Sequence, residues 1–300
     1  RGQALERPAP NEAKILVGDI YDRTSTEKAI GDLTFDSVVN WIAYTPKDIE
    51  NDLSVFKGKT EQYIFISSAS AYQKPLLKLP ITEATPLVNP FWEYSRNKIA
   101  CEQRLMREYV KAKFPVTIVR PSHTYDKTMI PLKGGYTAID RMRKGKKVIV
   151  HGDGTSLWVL THHRDFAKGF IGLLGNSRAI GEAFQITSDE LLSWNQIYNI
   201  MANAAGTEAK IIHIPSDLID AYDKQWGDEL LGDKSTSVIF DNSKIKSVVP
   251  DFNAAIPFVN GAKEIMNWYN ADPSRQIINE AFNNLSDKII GAYKSAFPKK

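Results

Sequence analysis

Only one cysteine, Cys101, occurs in the 300-residue chain. That excludes an intrachain disulfide framework and fits a reducing compartment. No apolar run approaches the ~20 residues a transmembrane helix needs, and no signal-peptide pattern is visible, so no membrane partner and a cytoplasmic location are expected. No charge of one sign dominates: 38 Lys and Arg stand against 35 Asp and Glu, a net +3. So weak a balance argues against nucleic acid as the main partner and neither demands nor excludes an anionic ligand. The five histidines (His123, His151, His162, His163 and His213) form no i, i+4 pair and have no cysteine beside them, so no metal site is expected. Internal repeats and low-complexity segments are lacking. So is a Gly-rich loop between a strand and a helix; the chain opens at Arg1-Gly2-Gln3 without an initiating Met, and such a loop is expected upstream of Arg1.

What is present is an ordinary globular composition, 43% hydrophobic and 24% charged, with β-branched runs alternating with helical stretches. Strands are expected at residues 14–17, 36–43 (DSVVNWIA), 62–67 (QYIFIS) and 115–120 (PVTIVR), with helices at 24–30 and 91–113. Alternation of this kind implies βαβ units and a mostly parallel sheet, and the continuous apolar strands imply cover on both faces. Further on, 146–150 reads as a short strand, 165–174 as a helix closed by Gly175-Asn176, and 183–186 as a strand rejoining the sheet. Helices are expected at 194–205, 257–269 and 275–296.

Three segments carry chemistry-bearing residues in order. Ser67-Ser68-Ala69-Ser70 follows the strand QYIFIS, Tyr94 and Lys98 open the long helix, and Arg120-Pro121-Ser122 ends the next strand. In a parallel sheet, ligands bind beyond the carboxyl ends of the strands, and Tyr94 and Lys98 at i, i+4 share a helix face. A free tyrosine titrates near ~10 and is a poor base at neutral pH; an adjacent ammonium is expected to lower that value. Tyr94 would then exchange a proton with a substrate hydroxyl, Ser68 would hold the same oxygen, and Lys98 would keep donors for ribose hydroxyls. A second Y-x-x-x-K, Tyr109 to Lys113, lies at the wrong end of the same helix and reads as core and surface. The G-x-x-G-x-x-G of Gly169, Gly172 and Gly175 follows no strand; close helix packing explains it better. The basic run at 141–147 (RMRKGKK) reads as a solvated helix end and turn.

The runs YIFISSASAY, EATPLVNPFWEYSRNKIACE and VTIVRPSHTYD resemble the extended short-chain dehydrogenase/reductases, the NAD-dependent epimerase/dehydratase family, and in particular the UDP-galactose 4-epimerase relatives. GDIYD at 18–22, DSVVNWIAY at 36–44 and GDGTSLWVLTHHRDFAKG at 152–169 add to the resemblance, which covers about residues 1–190. It implies an α/β fold: a Rossmann-type doubly wound parallel sheet, residues 1–122 and 152–190, with a smaller C-terminal-weighted substrate domain, residues 123–151 and 191–300. It implies NAD or NADP as cofactor, with Ser68, Tyr94 and Lys98 catalytic. Asp19 and Ile20 would contact adenine, Ala43 and Lys98 would line the cofactor, and Pro121 with Ser122 would border the nicotinamide. Arg1 resembles the end of the family's second strand, where a basic residue meets a 2′-phosphate, so NADP is slightly preferred. Ser70, His123 and His162 are candidate substrate contacts.

Departures from the family pattern are Gln73 and Asp126 at positions usually glycine, and His162-His163-Arg164 before Asp165. The expected reaction is hydride transfer at a carbinol or carbonyl carbon of a nucleotide-sugar or related small molecule, as an epimerase or reductase. A 4,6-dehydratase is not expected, because Ala69 and Ser70 stand where those enzymes carry an Asp-Glu pair. The alternative is a non-catalytic dinucleotide- or RNA-binding member of the same family. Self-association as a homodimer is compatible with either.

Overall fold

The structure, a computed structural model, describes residues 9–298. Arg1 lies outside these. A short helix α1 (Arg23–Ile30) is started by Asp22, whose carboxylate accepts from the Thr24 and Ser25 amides. Then follow β1 (Val38–Asn40), α2 (Pro46–Phe56), β2 (Tyr63–Ile66), α3 (Glu93–Ala112) and β3 (Val116–Pro121). After these come β4 (His123–Tyr125), α4 (Tyr136–Arg143), β5 (Lys147–His151), β6 (Leu157–Trp158), β7 (Leu160–His162), α5 (His163–Ile171), β8 (Ala183–Ile186), β9 (Leu192–Ser193) and α6 (Trp194–Ala204). The last third holds β10 (Lys210–Ile214), α7 (Ser216–Tyr222), α8 (Lys224–Glu229), a π-helical turn (Leu230–Lys234), α9 (Ser243–Val248), α10 (Phe258–Asn270) and α11 (Glu280–Ser295). Among the described residues no helix is long and apolar enough to cross a membrane.

The main sheet runs β1-β2-β3-β8, every neighbour parallel. Alternation along β2 shows why it is covered twice. Tyr63 and Phe65 pack with Ile49, Leu53 and Leu105 of α2 and α3 on one face, while Ile64 and Ile66 pack with Phe166, Phe184 and Val249 on the other. Each such side chain, taken fully out of water, contributes roughly 1.5–3 kcal/mol. A separate two-stranded parallel pair, β5 with β10, and the helices α6 and α10 gather the other apolar clusters. Ile245, Val249 and Phe252, from the stretch expected in the substrate domain, pack instead in the sheet cluster.

Several sequence expectations need correction. Residues 14–17 form no strand: Ile15 and Val17 are 70% and 90% exposed, and among the described residues no neighbouring strand offers them a hydrogen-bond ladder. The strand expected at 36–43 stops at Asn40, whose Oδ1 accepts the Ile42 and Ala43 amides and turns the chain out of the sheet. The strand expected at 146–150 is present as β5, outside the main sheet and paired with β10. The last helix begins at Glu280, where Asn279 caps it, and not at 275. Gly169 and Gly172 do mark close packing: a Cβ on Gly172 would lie 2.4 Å from a Val249 methyl.

Candidate active site

The carboxyl ends of β2 and β3 face the start of α3, as expected of ligand-binding ends in a parallel sheet. Ser68 leaves β2 in extended conformation and caps the short 3₁₀ turn Ala69–Ala71. Its Oγ lies 2.9 Å from Ser70 Oγ, and the Ser95 hydroxyl donates to Ser70 Oγ at 2.8 Å. Ser70 is thus buried between two serines, and its proton is available to Ser68. Ser68 also stands near the Tyr94 hydroxyl and favours its ionised form. Asn89 anchors the approach to α3: its Nδ2 donates to Ser70 O at 2.9 Å and Gly232 O at 2.7 Å, while its Oδ1 accepts the Phe91 and Trp92 amides.

Lys98, one turn beyond Tyr94, is only 2% exposed. Its Nζ donates to Ala43 O and Ile66 O, both at 2.8 Å, and sits 4.7 Å from the Tyr44 ring centroid and 5.8 Å from that of Tyr94. Burial pulls its pKa down to about 8. The expectation that Lys98 lowers the pKa of Tyr94 is not met. Burial pushes Tyr94 up to about 12, opposed by the nearby Ser68 hydroxyl and reinforced by Tyr44 and Asp233. Lys98 is turned to two carbonyls, and desolvation acts against the charged form of both groups.

Beneath these residues Arg120 pairs with Glu102 of α3, Nη2 to Oε2 at 2.6 Å, and Ser67 donates to the same carboxylate. This buried pair ties β3 to the helix carrying Tyr94 and Lys98; the sequence offered the Arg-Pro step but not its partner.

A cavity of about 450 Å³ opens beside Tyr94. Ser68, Ser70, Tyr94, Pro121, Ser122 and His123 all line it, so half of the expected site residues converge on one chamber. Ser122 is held by Thr161, Oγ to Oγ1 at 3.0 Å. Lys98 and Ala43 stand behind Tyr94. Asp19 lies apart, with the Tyr21 amide on its Oδ1 and the Ser25 hydroxyl under its own amide, beside a surface hollow that Val17 and Gly18 also line. Ile20 is half-buried in the same turn. Tyr21 ties this turn to the end of β1 by donating to Ile42 O. His162 is elsewhere: it is 1% exposed, caps α5 through the Arg164 amide, bonds Glu264 and does not line the cavity. Its ring serves helix capping rather than substrate.

Sequence reasoning missed the rest of the wall. Four of the six tryptophans (Trp92, Trp158, Trp194 and Trp226) line the chamber, as do Lys133, Glu229, Asp233 and Lys234. They come from five separate segments, and no local spacing announces them. Lys133 pairs with Glu229 at 3.0 Å, and Asp233 with buried Lys74 at 3.6 Å. Among the described residues no cluster of three His, Cys, Asp or Glu side chains is disposed to hold a metal.

A family model, the NAD dependent epimerase/dehydratase family, matches residues 2–187. The chloroplast stem-loop binding protein of 41 kDa b from Arabidopsis thaliana is 28% identical over 204 residues, 66% of this chain and 50% of that protein. The dTDP-D-glucose 4,6-dehydratase of Homo sapiens is 21% identical over 221 residues, 71% of this chain and 57% of that enzyme. The chain therefore spans about half the length of these curated relatives. An epimerase from Methanothermobacter thermautotrophicus superposes with a TM-score of 0.73 at 16% identity, over 91% of this chain and 83% of that one, which shows the shared Rossmann-type fold.

Proposed function

The chain belongs to the NAD-dependent epimerase/dehydratase family, and from that premise we propose that it transfers hydride at a carbinol or carbonyl carbon of a nucleotide-sugar or related small molecule. The observation that carries this reading is the Ser95–Ser70–Ser68 chain of hydroxyls, which opens with Tyr94 on one cavity. Ser68 holds the substrate oxygen and Tyr94 exchanges its proton. Bound NAD or NADP supplies the hydride acceptor or donor.

The residues present suit the nicotinamide-ribose end of such a dinucleotide. Lys98 spends two of its three donors on carbonyls and keeps one, and Pro121 and Ser122 line the cavity opposite Tyr94. A preference for NADP rests on Arg1 alone. Titration of both dinucleotides checks it, and equal or tighter NAD binding overturns it.

The deciding experiment is Tyr94→Phe. Turnover should fall by about 10²-fold or more, as for loss of a positioned acid–base group, while dinucleotide affinity is retained. Near wild-type activity would sink the assignment. RNA binding by a non-catalytic member of the family is the second reading, and the Arabidopsis relative is named a stem-loop binding protein. Against it, the basic run is spent inside the chain: Arg141 on Asp287, Lys144 on Asp140 and Lys146 on Asp287. A steep salt slope of RNA affinity would favour that reading instead.

A further inference from the structure

The charged groups lining the cavity, Lys133, Glu229, Asp233 and Lys234, are not paired with one another throughout. Glu229 is held by Lys133, with both carboxylate oxygens at 3.0 Å from Nζ. Asp233 is held by Lys74, which lies outside the chamber. Lys234 is left: among the described residues no carboxylate pairs with it, and its Nζ stands 5.4 Å from the Trp92 ring centroid and 5.8 Å from that of Trp158. The Trp92 ring is itself 4.8 Å from the Tyr94 ring. The unpaired cation therefore sits on the wall next to the proposed proton-exchanging tyrosine.

Its backbone is fixed. Lys234 ends the π-helical turn Leu230–Lys234, and its carbonyl accepts from His151 Nε2 at 2.9 Å and Trp194 Nε1 at 3.2 Å. Turns of this type are frequent at functional sites. The preceding residue is fixed as well: Lys74 Nζ donates to Asp233 O at 3.2 Å, and Asn89 to Gly232 O at 2.7 Å. An ammonium held over two indole faces by a rigid turn, facing a chamber rather than a carboxylate, is a preformed anion partner.

We propose that Lys234 recognises an anionic group, a carboxylate or a phosphate monoester, carried by the reacting ring of the substrate itself. This rests on the reading of the cavity as the substrate site, and it narrows the substrate class to an acidic or phosphorylated sugar-like ring. The tryptophan faces suit the C–H faces of such a ring, and Lys234 suits its charge.

The test is equilibrium binding to the full chain, followed by quenching of tryptophan fluorescence, with matched pairs of probes: glucuronate against glucose, glucose 1-phosphate against glucose, and UDP-glucuronate against UDP-glucose. The anionic member of at least one pair should bind about tenfold tighter or more, and that margin should shrink in high salt. Lys234→Met keeps the aliphatic stem on the tryptophans and should erase the margin; Lys234→Arg should restore it. Discrimination by glucuronate and UDP-glucuronate assigns a carboxylate; discrimination by glucose 1-phosphate alone assigns a phosphate. Equal binding of charged and neutral probes to the wild type, failure of every anionic probe to bind, or a margin that survives Lys234→Met overturns the proposal. Binding is read without turnover. A Lys234-dependent margin in a chain with no Tyr94-dependent activity would refute hydride transfer and leave this assignment standing.

Discussion

The Trp158 indole N–H donates to Nδ1 of His123 at 3.2 Å. That bond settles which nitrogen of the neutral ring carries its proton: Nδ1 is the acceptor, so Nε2 bears the hydrogen. Burial, with the charge of Lys234 adding to it, holds the His123 pKa down to about 3. His123 is a fixed neutral donor on the cavity wall, with no proton to exchange near neutrality.

His123→Gln should therefore lower kcat/KM by about tenfold at most, the worth of one hydrogen bond of ~1–1.5 kcal/mol. The shape of the rate profile between pH 5 and 9 should not change. Disappearance of an acidic or basic limb in the variant would show that His123 does titrate in the cycle.

Lys98 predicts a pH dependence of stability. Its pKa falls from 10.5 to about 8 because the ammonium is buried. Below about pH 8 it is charged in both folded and unfolded chains, and the cost of burying that charge is felt in full. Between about 8 and 10.5 the unfolded chain binds more protons, so stability rises with pH. Relative to Lys98→Met, the wild type should gain up to about 3 kcal/mol between pH 7 and 10.5, read from urea unfolding at each pH. A difference that stays flat would mean that Lys98 is solvated.

Much of this arrangement was legible in the chain because it is local. Ser68 at a strand end, Tyr94 and Lys98 four apart on a helix, and Pro121-Ser122 closing the next strand each follow from short-range pattern; all but Lys98, which is buried behind Tyr94, line the same cavity. What was not legible depends on distant partners. Nothing near Arg120 names Glu102 as its counterion, and nothing near Lys234 shows that it has none among the described residues. Residues 14–17 have strand composition, yet a strand exists only through a neighbour's hydrogen bonds, which local pattern does not supply. His162 misled for the same reason: its polar environment comes from Glu264, about a hundred residues away.

Gly172 offers a packing test. Its Cβ position lies 2.4 and 2.6 Å from the two methyls of Val249, a buried β-branched residue with little rotamer freedom. Gly172→Ala should destabilise by about 1–3 kcal/mol, the range for overpacking, despite alanine's better helix propensity. Gly169→Ala, whose nearest contact is 3.0 Å, should cost less. A denaturation midpoint unchanged or raised in Gly172→Ala would show that the α5–α9 contact is loose.

The remaining prediction is that this chain does not catalyse a 4,6-dehydration. Removing water next to an oxidised centre needs an acid and a base beyond the tyrosine. The two residues after Ser68 are Ala69 and Ser70. Alanine has no proton to give, and the Ser70 hydroxyl is engaged between Ser95 and Ser68. Of the carboxylates lining the cavity, Glu229 is held by Lys133 and Asp233 by Lys74, so each already serves a lysine. His123 was the strongest substitute on sequence grounds, and its neutral, Trp158-bonded ring removes it. Epimerase or reductase chemistry asks only for Ser68, Tyr94, Lys98 and a bound nicotinamide. Incubation with dinucleotide and a panel of nucleotide-sugars, followed by mass spectrometry, should give products of unchanged mass or of mass altered by two hydrogens. Loss of one water from any sugar, abolished in Tyr94→Phe, would overturn the exclusion and direct the search for the acid to Glu229 and Asp233.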